Sequence, residues 1–168
     1  MDVVLAIVGV LAVLHVSYAT WTARRLDRLH ARVDSATAAL DAQLRARAHL
    51  ALAASERAAA GSGRELGDAA RAALSVAGLG HDREAAESGL SRALQAAVRD
   101  DAGIADSALV DVTTRTSFAR RFRNDAVRDA LVVRERRIVR WFHLAGSARL
   151  PTFFEMDDTA LDRRTIEV

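Results

Sequence analysis

The sequence predicts an all-α protein, with an N-terminal transmembrane helix continuing into an antiparallel three- to four-helix bundle of long helices. Three observations carry this reading. Alanine, leucine and arginine dominate while proline occurs once, a mixture that costs least in helices. Apolar residues recur at steps of three and four, with no alternation of strand type over any length. The first twenty or so residues, finally, are almost uniformly apolar. A chain of 168 residues can bury one real core and is short for two. The expected division is a transmembrane anchor over residues 1–21, a helical bundle over 22–145 and a tail over 146–168 that packs on the bundle.

Val3 to Trp21 reads VVLAIVGVLAVLHVSYATW, without formal charge unless His15 is protonated. As a helix it is roughly 28 Å long, close to the hydrocarbon thickness of a bilayer. Val3, Leu5, Ile7, Leu11 and Leu14 would meet lipid, and Tyr18 and Trp21 stand where interfacial aromatics belong. A cleaved signal peptide is the competing reading, and Ser17-Tyr18-Ala19 resembles its cleavage site. Against it, Met1-Asp2 lacks the positive charge that such peptides carry, and the apolar run is long for one. An uncleaved anchor is therefore expected. Arg24, Arg25, Arg28 and Arg32 follow the span and only Asp2 precedes it, which places the main domain in the cytoplasm by the positive-inside rule.

From Trp21 onward the pattern turns amphipathic without a break. Leu26, Leu29, Val33, Thr37, Leu40, Leu44, Ala48 and Ala51 form a stripe, and Arg25, Arg28, Arg32 and Arg45 lie off it. Gly61 to Gly67, GSGRELG, is the first expected break. A weaker helix follows from Glu65 to Ala77, then a turn at Gly78–Asp82, with Asp82 as a possible cap. The next helix shows Ala86, Leu90, Leu94 and Ala97 on one face and ends at Asp100–Gly103. The last runs from Ile104 to Ala145 with a seam of Leu109, Val112, Thr116, Ala119, Phe122, Ala126, Ala130 and Val133.

The run ARRFRNDAVRD, Ala119 to Asp129, is densely charged yet helical in period. Arg120, Arg121, Asn124, Asp125 and Arg128 fall away from the seam and read as a solvated face with local ion pairs. Arg123 and Asp129 border the seam, where each can pair with a charge on the first bundle helix. Asp34 and Asp41 flank the stripe there, so Asp34, Asp41, Arg123 and Asp129 form a candidate interhelical polar network.

Three stretches, taken in order, resemble the LemA-like membrane-anchored helical proteins of bacteria. They are RLHARVDSATAALDAQLRARAHL (Arg28–Leu50), LSRAL (Leu90–Leu94), and ARRFRNDAVRD together with FFEMDD (Phe153–Asp158). The resemblance implies an N-terminal anchor, an antiparallel helical bundle without established catalysis, and partners such as membrane proteases. The chain departs from the family pattern in four places. ALAA stands in place of an Ile-Pro-Asn element, His49 in place of an acid, and Arg123 in place of an aromatic. LVVRERRIVRWFHLAG replaces an apolar segment rich in proline and glycine.

Chemistry is sparse. Without cysteine there is no disulfide and no thiol nucleophile. His15, His30, His49, His81 and His143 show no metal-ligand spacing, and no phosphate-binding or nucleophile-elbow motif occurs. Glu84 and Glu87 read as an exposed pair, as do Asp157 and Asp158. No cofactor is expected. The pI near 10.2 looks like a nucleic-acid signal, but the net charge is only +2. With no lysine or cysteine and one tyrosine, little titrates between histidine and arginine, so a small arginine excess lifts the pI. Nucleic acid is not an expected partner.

Two surfaces remain. RERRIVRWF interleaves Arg134, Arg136, Arg137 and Arg140 with Trp141 and Phe142. It suits anionic headgroups or a partner, or else it is a helix end whose cations complement the macrodipole. In the tail, Leu150, Phe153 and Phe154 stand beside Glu155, Asp157 and Asp158, as a clasp on the bundle end or as a motif read by a partner. The functional expectation is a non-catalytic scaffold or adaptor tethered to a bacterial membrane, single-pass, with a membrane-protein partner or a second copy. An enzyme with a site assembled between helices is the alternative.

Overall fold

A computed structural model of the chain describes residues 1–134 and 150–157; the first stretch is mostly helical, residues 150–157 have no regular secondary structure, and no strand occurs among the described residues. Helix α1 runs Asp2–Ser55, α2 Ala60–Ser75, α3 His81–Asp100 and α4 Ser107–Arg134, with a short 3-10 turn at Ala102–Ile104 before α4. Two compact units are present. Among the described residues, one comprises 1–35, 125–134 and 150–152 and the other 36–124 and 153–157, so the boundaries fall inside α1 and α4.

The second unit holds the main core. Ala48, Ala51 and Ala54 of α1 meet Leu66, Ala70 and Ala73 of α2, Leu90, Leu94 and Ala97 of α3, Ile104, and Leu109 and Val112 of α4. Half of these side chains are alanines, which bury little area each but let helix backbones approach closely. Leu40 and Leu44 belong to a satellite cluster with Phe154 and Met156, flanked by Leu79 and Ala119. In the first unit Leu26 and Val133 are buried together beside Leu29. The expected α1 stripe is thus buried at Leu26, Val33, Leu40, Leu44, Ala48 and Ala51.

The break after α1 comes earlier than the glycines suggest. α1 stops at Ser55, Arg57 closes a tight turn on the Ala54 carbonyl, and α2 has begun by Ala60. Gly61, Gly63 and Gly67 lie inside α2 and do not form the break. Their use is proximity: a Cβ at Gly63 would stand 2.6 Å from the Ser55 carbonyl oxygen, and one at Gly67 3.1 Å from Ser55 Oγ. Gly63 and Gly67 are one helical turn apart, so α2 crosses the end of α1 on a face without side chains.

Backbone chemistry sets the other ends. Gly78 takes a positive φ of 77° in the turn before α3. Gly80, without a side-chain bond, caps α3, and Asp82 lies in the first turn with Glu84, where carboxylates complement the helix dipole. Asp106 caps α4: its Oδ1 accepts from the Leu109 N–H at 2.9 Å while its Oδ2 accepts from Arg57 at 2.9 Å. Ile104 therefore precedes α4 as a buried plug instead of starting it. The expected extension of this helix to Ala145 lies outside the described residues beyond Arg134.

The α4 seam contains one correction. Phe122 is 53% exposed, and the seam steps from Ala119 to Arg123 and on to Ala126, with Asn124 buried beside it. A spacing of four residues replaces one of three, and the aromatic is left on the wet face with Phe118.

Four substitutions check this packing through thermal melts of the full chain in mild detergent. Leu40→Asp should cost several kcal/mol, because it places a charge in a packed cluster. Phe122→Asp should cost less than about 1 kcal/mol, contrary to the reading from sequence. Gly63→Ala should cost about 1–3 kcal/mol by overpacking, whereas Gly61→Ala, with open space at its Cβ, should be neutral or stabilising by up to about 1 kcal/mol. Equal effects at Gly61 and Gly63 would contradict the close approach of α2 to Ser55.

Candidate functional site

The apolar half of α1 is exposed along its length. Val3, Leu5, Ile7, Leu11 and Leu14 all face outward, at 72% for Val3 and 60% for Leu14, as do Tyr18 and Trp21. This one helix is long and apolar enough to cross a membrane, and its most apolar window has no residue buried against the rest of the chain. Contiguous apolar surface of this extent is rare on a monomer in water. At its end the Tyr18 and Trp21 rings lie 6.1 Å apart, and the Arg25 guanidinium sits 5.7 Å from the Trp21 ring centre. Thr20 and Thr22 donate their hydroxyls to carbonyls of the preceding turn, so these two hydroxyl protons are satisfied within the helix.

A buried ionic cluster lies in the second unit, and the sequence reading missed it. Glu87, taken for an exposed acid, is fully buried between two arginines that are buried as well. Its Oε2 accepts from Arg47 Nη2 of α1 at 2.6 Å, and its Oε1 accepts from Arg83 Nε, one turn earlier on α3, at 2.8 Å. Arg47 also donates to Ser91 Oγ and to the Glu87 carbonyl. Arg83 donates to the Val76 carbonyl at 2.7 Å and lies 3.7 Å from Asp41 Oδ1. The formal charges of Arg47, Arg83, Glu87 and Asp41 cancel. Three polar atoms nevertheless lack a hydrogen-bond partner: Arg47 Nε, Arg83 Nη2 and Asp41 Oδ1. The sequence signal was present but overruled. Arg83, Glu87, Leu90, Leu94 and Ala97 share one face, and Arg47 falls between Leu44 and Ala48.

The expected polar network is distributed differently from the reading. Arg123, 6% exposed, donates from Nε to Thr37 Oγ1 at 3.2 Å and from Nη1 to Asn124 Oδ1 at 3.5 Å. Burial lowers its pKa below the usual arginine range, and the field of Glu84 partly restores it. Asp41 is engaged by Arg45 at 2.8 Å and by Arg83. Asp34 is exposed, and Asp129 pairs with Arg32 at 3.0 Å in the first unit, with both side chains about half exposed. Local ion pairs on the wet face include Arg128–Asp125 at 2.7 Å. Of the proposed basic-aromatic surface, Arg134 ends the described part of α4, and Arg136, Arg137, Arg140, Trp141 and Phe142 lie outside the described residues.

The tail docks on the second unit through its backbone. Asn124, expected on the wet face, is buried, and its side-chain amide takes both polar groups of Phe154. Its Oδ1 accepts from the Phe154 N–H at 3.0 Å and its Nδ2 donates to the Phe154 carbonyl at 3.1 Å. Glu84 Oε1 accepts from the Glu155 N–H at 2.8 Å, and Ser88 Oγ from the Asp157 N–H at 3.0 Å. Phe154 and Met156 are buried on Leu40 and Leu44, while Phe153, Glu155 and Asp157 are exposed. Arg120 reaches to 3.9 Å from Glu155. The clasp therefore closes on α1, on α4 and on the first two turns of α3.

Among the described residues no three His, Asp or Glu side chains gather in a way that could hold a metal ion. Glu87 directs both carboxylate oxygens to guanidinium groups and is buried from solvent. Searches of protein-family models, curated proteins and solved structures find no match to the chain.

Glu87→Gln should destabilise the second unit by about 3–5 kcal/mol, because it leaves Arg47 buried without a counter-charge and Arg83 with only the partly exposed Asp41 carboxylate at 3.7 Å. Arg121→Ala, on the wet face, should change stability by less than about 0.5 kcal/mol. Chemical denaturation of the full chain in detergent measures both. A Glu87→Gln variant as stable as the parent would show that the carboxylate does not hold the helices.

Proposed function

We propose that the chain is a single-pass, membrane-tethered scaffold or adaptor whose helices form an antiparallel bundle and offer a surface to a membrane-protein partner or a second copy. It would be anchored in a bacterial cell membrane, as the LemA-like resemblance implies, with the main domain cytoplasmic. One observation carries the reading. α1 is a single helix whose first half exposes a long run of apolar side chains, from Val3 to Val16, and an aromatic-arginine end, and whose second half supplies Leu40, Leu44, Ala48, Ala51 and Ala54 to buried clusters. An exposed apolar helix gains most in a bilayer, at about 25 cal/mol per Å² of apolar surface removed from water. Arg24, Arg25, Arg28 and Arg32 on the flank favour a cytoplasmic main domain. Polar groups in the core hold helices together, and no catalytic role is assigned to them.

The experiment separates anchoring from partnership. Membranes of the expressing cell, washed with alkaline carbonate, should retain the chain with residues 1–21 intact by mass spectrometry. Release of a chain beginning at Thr20 would contradict the anchor. Cross-linking in the same membranes, followed by purification, should give a stoichiometric membrane-protein or self partner. A chain recovered alone, with a bound small molecule, would favour the enzyme reading.

A further inference from the structure

The tail segment 153–157 has the geometry of a peptide bound in a groove, not of a fifth layer of the core. No described tail residue belongs to the main core cluster, which is built from residues of α1, α2, α3 and α4 and from Ile104. Phe154 and Met156 enter a separate cluster built on Leu40, Leu44, Leu79 and Ala119. Burial alternates along the segment, in at 154 and 156 and out at 153, 155 and 157, as in an extended chain laid on a surface. The polar contacts are made chiefly to the backbone. Asn124 of α4 takes the N–H and C=O of Phe154, and Glu84 and Ser88 of α3 take the N–H groups of Glu155 and Asp157. Backbone capture of this kind accepts any extended chain. The apolar positions two apart, and Arg120 near Glu155, supply the selectivity.

We infer that the groove formed by Leu40 and Leu44 of α1, Glu84 and Ser88 of α3, and Asn124 of α4 is a receptor site for an extended segment of a partner protein, occupied in this structure by the chain's own tail. The segment it fits carries an aromatic residue and a long apolar residue two apart, with an acid between them. The tail acts as a competing internal ligand. Because the tail belongs to the same chain, a partner segment binds only when it outcompetes or lifts the tail. An unfilled groove would leave the Asn124 amide and two leucines uncovered, which favours exchange of one occupant for another over a standing vacancy. The inference gives the scaffold reading a defined docking site and rests on it for the existence of a partner. The groove itself is testable without a membrane partner, so each can fail alone.

The test uses the full chain in detergent and a fluorescein-labelled peptide, LPTFFEMD, copied from residues 150–157. In a Phe154→Ser/Met156→Ser variant the internal tail no longer competes. That variant should keep the parent's helical circular dichroism and bind the peptide saturably, at least about tenfold more tightly than the parent does. Adding Asn124→Leu should abolish binding, adding Ser88→Ala should weaken it several-fold, and a peptide with serine at both apolar positions should not bind. Loss of helical structure in the tail variant would make the segment part of the fold and overturn the inference. So would a folded variant that ignores the peptide, or binding indifferent to Asn124 and Ser88. Displacement of the peptide by unlabelled parent chain would identify a second copy's tail as the occupant and overturn the proposal of a different partner.

Discussion

A carboxylate with no access to water fixes the interior of the second unit. Glu87 can keep its charge at zero exposure because Arg47 and Arg83 each give it a short charge-assisted bond, at 2.6 and 2.8 Å. Each arginine in turn is held elsewhere, Arg47 by Ser91 and Arg83 by the Val76 carbonyl, so α1, α3 and the turn before α3 share one set of bonds. The arrangement is weak evidence for stability, since desolvating three charged groups offsets much of their attraction. Its effect is register. An alanine-rich core is nearly featureless along a helix, and alanines can slide past one another at small cost. A buried ion pair cannot slide by one turn without stranding a charge.

That distinction explains which parts of the fold were legible in the sequence. The α1 stripe and the α3 face were read correctly at Leu40, Leu44, Ala48, Leu90, Leu94 and Ala97, because apolar period alone identifies a buried face. Polar residues were assigned to solvent by type, and that rule failed at Glu87 and Asn124, while Arg47 and Arg83, given no place in the reading, are buried too and Arg123, placed at the seam's border, is buried in it. On α4 the preference for Phe122 over Arg123 as a seam residue followed side-chain polarity, while the helix geometry followed Thr37 and the tail. The break between α1 and α2 was misplaced for a different reason. Glycines were taken as punctuation, but Gly63 serves a close helix crossing and the chain turns at residues that carry no breaker.

The candidate site was legible in part. The apolar segment of α1 and its aromatic end stand out from hydropathy alone, and the structure leaves that surface uncovered. The tail was expected to fold back, yet nothing in FFEMDD or in ARRFRNDAVRD announced that Asn124 would bind its backbone. Side-chain to backbone bonds between segments thirty residues apart carry no local sequence period, so they become visible only with coordinates. The same bonds explain why Asn124 is buried in a run that otherwise carries surface ion pairs.

The claim on which the account turns is that Glu87 holds Arg83 and Arg47 inside the second unit. Nitrogen-15 NMR of the arginine side chains in the full-length chain reads it directly. An Arg83 Nε–H donating to a buried carboxylate should give a resolved resonance at neutral pH that exchanges with water far more slowly than those of surface arginines, and that is lost in Glu87→Gln. An Arg83 Nε–H exchanging as fast as that of exposed Arg121 would contradict the buried cluster and the helix register built on it.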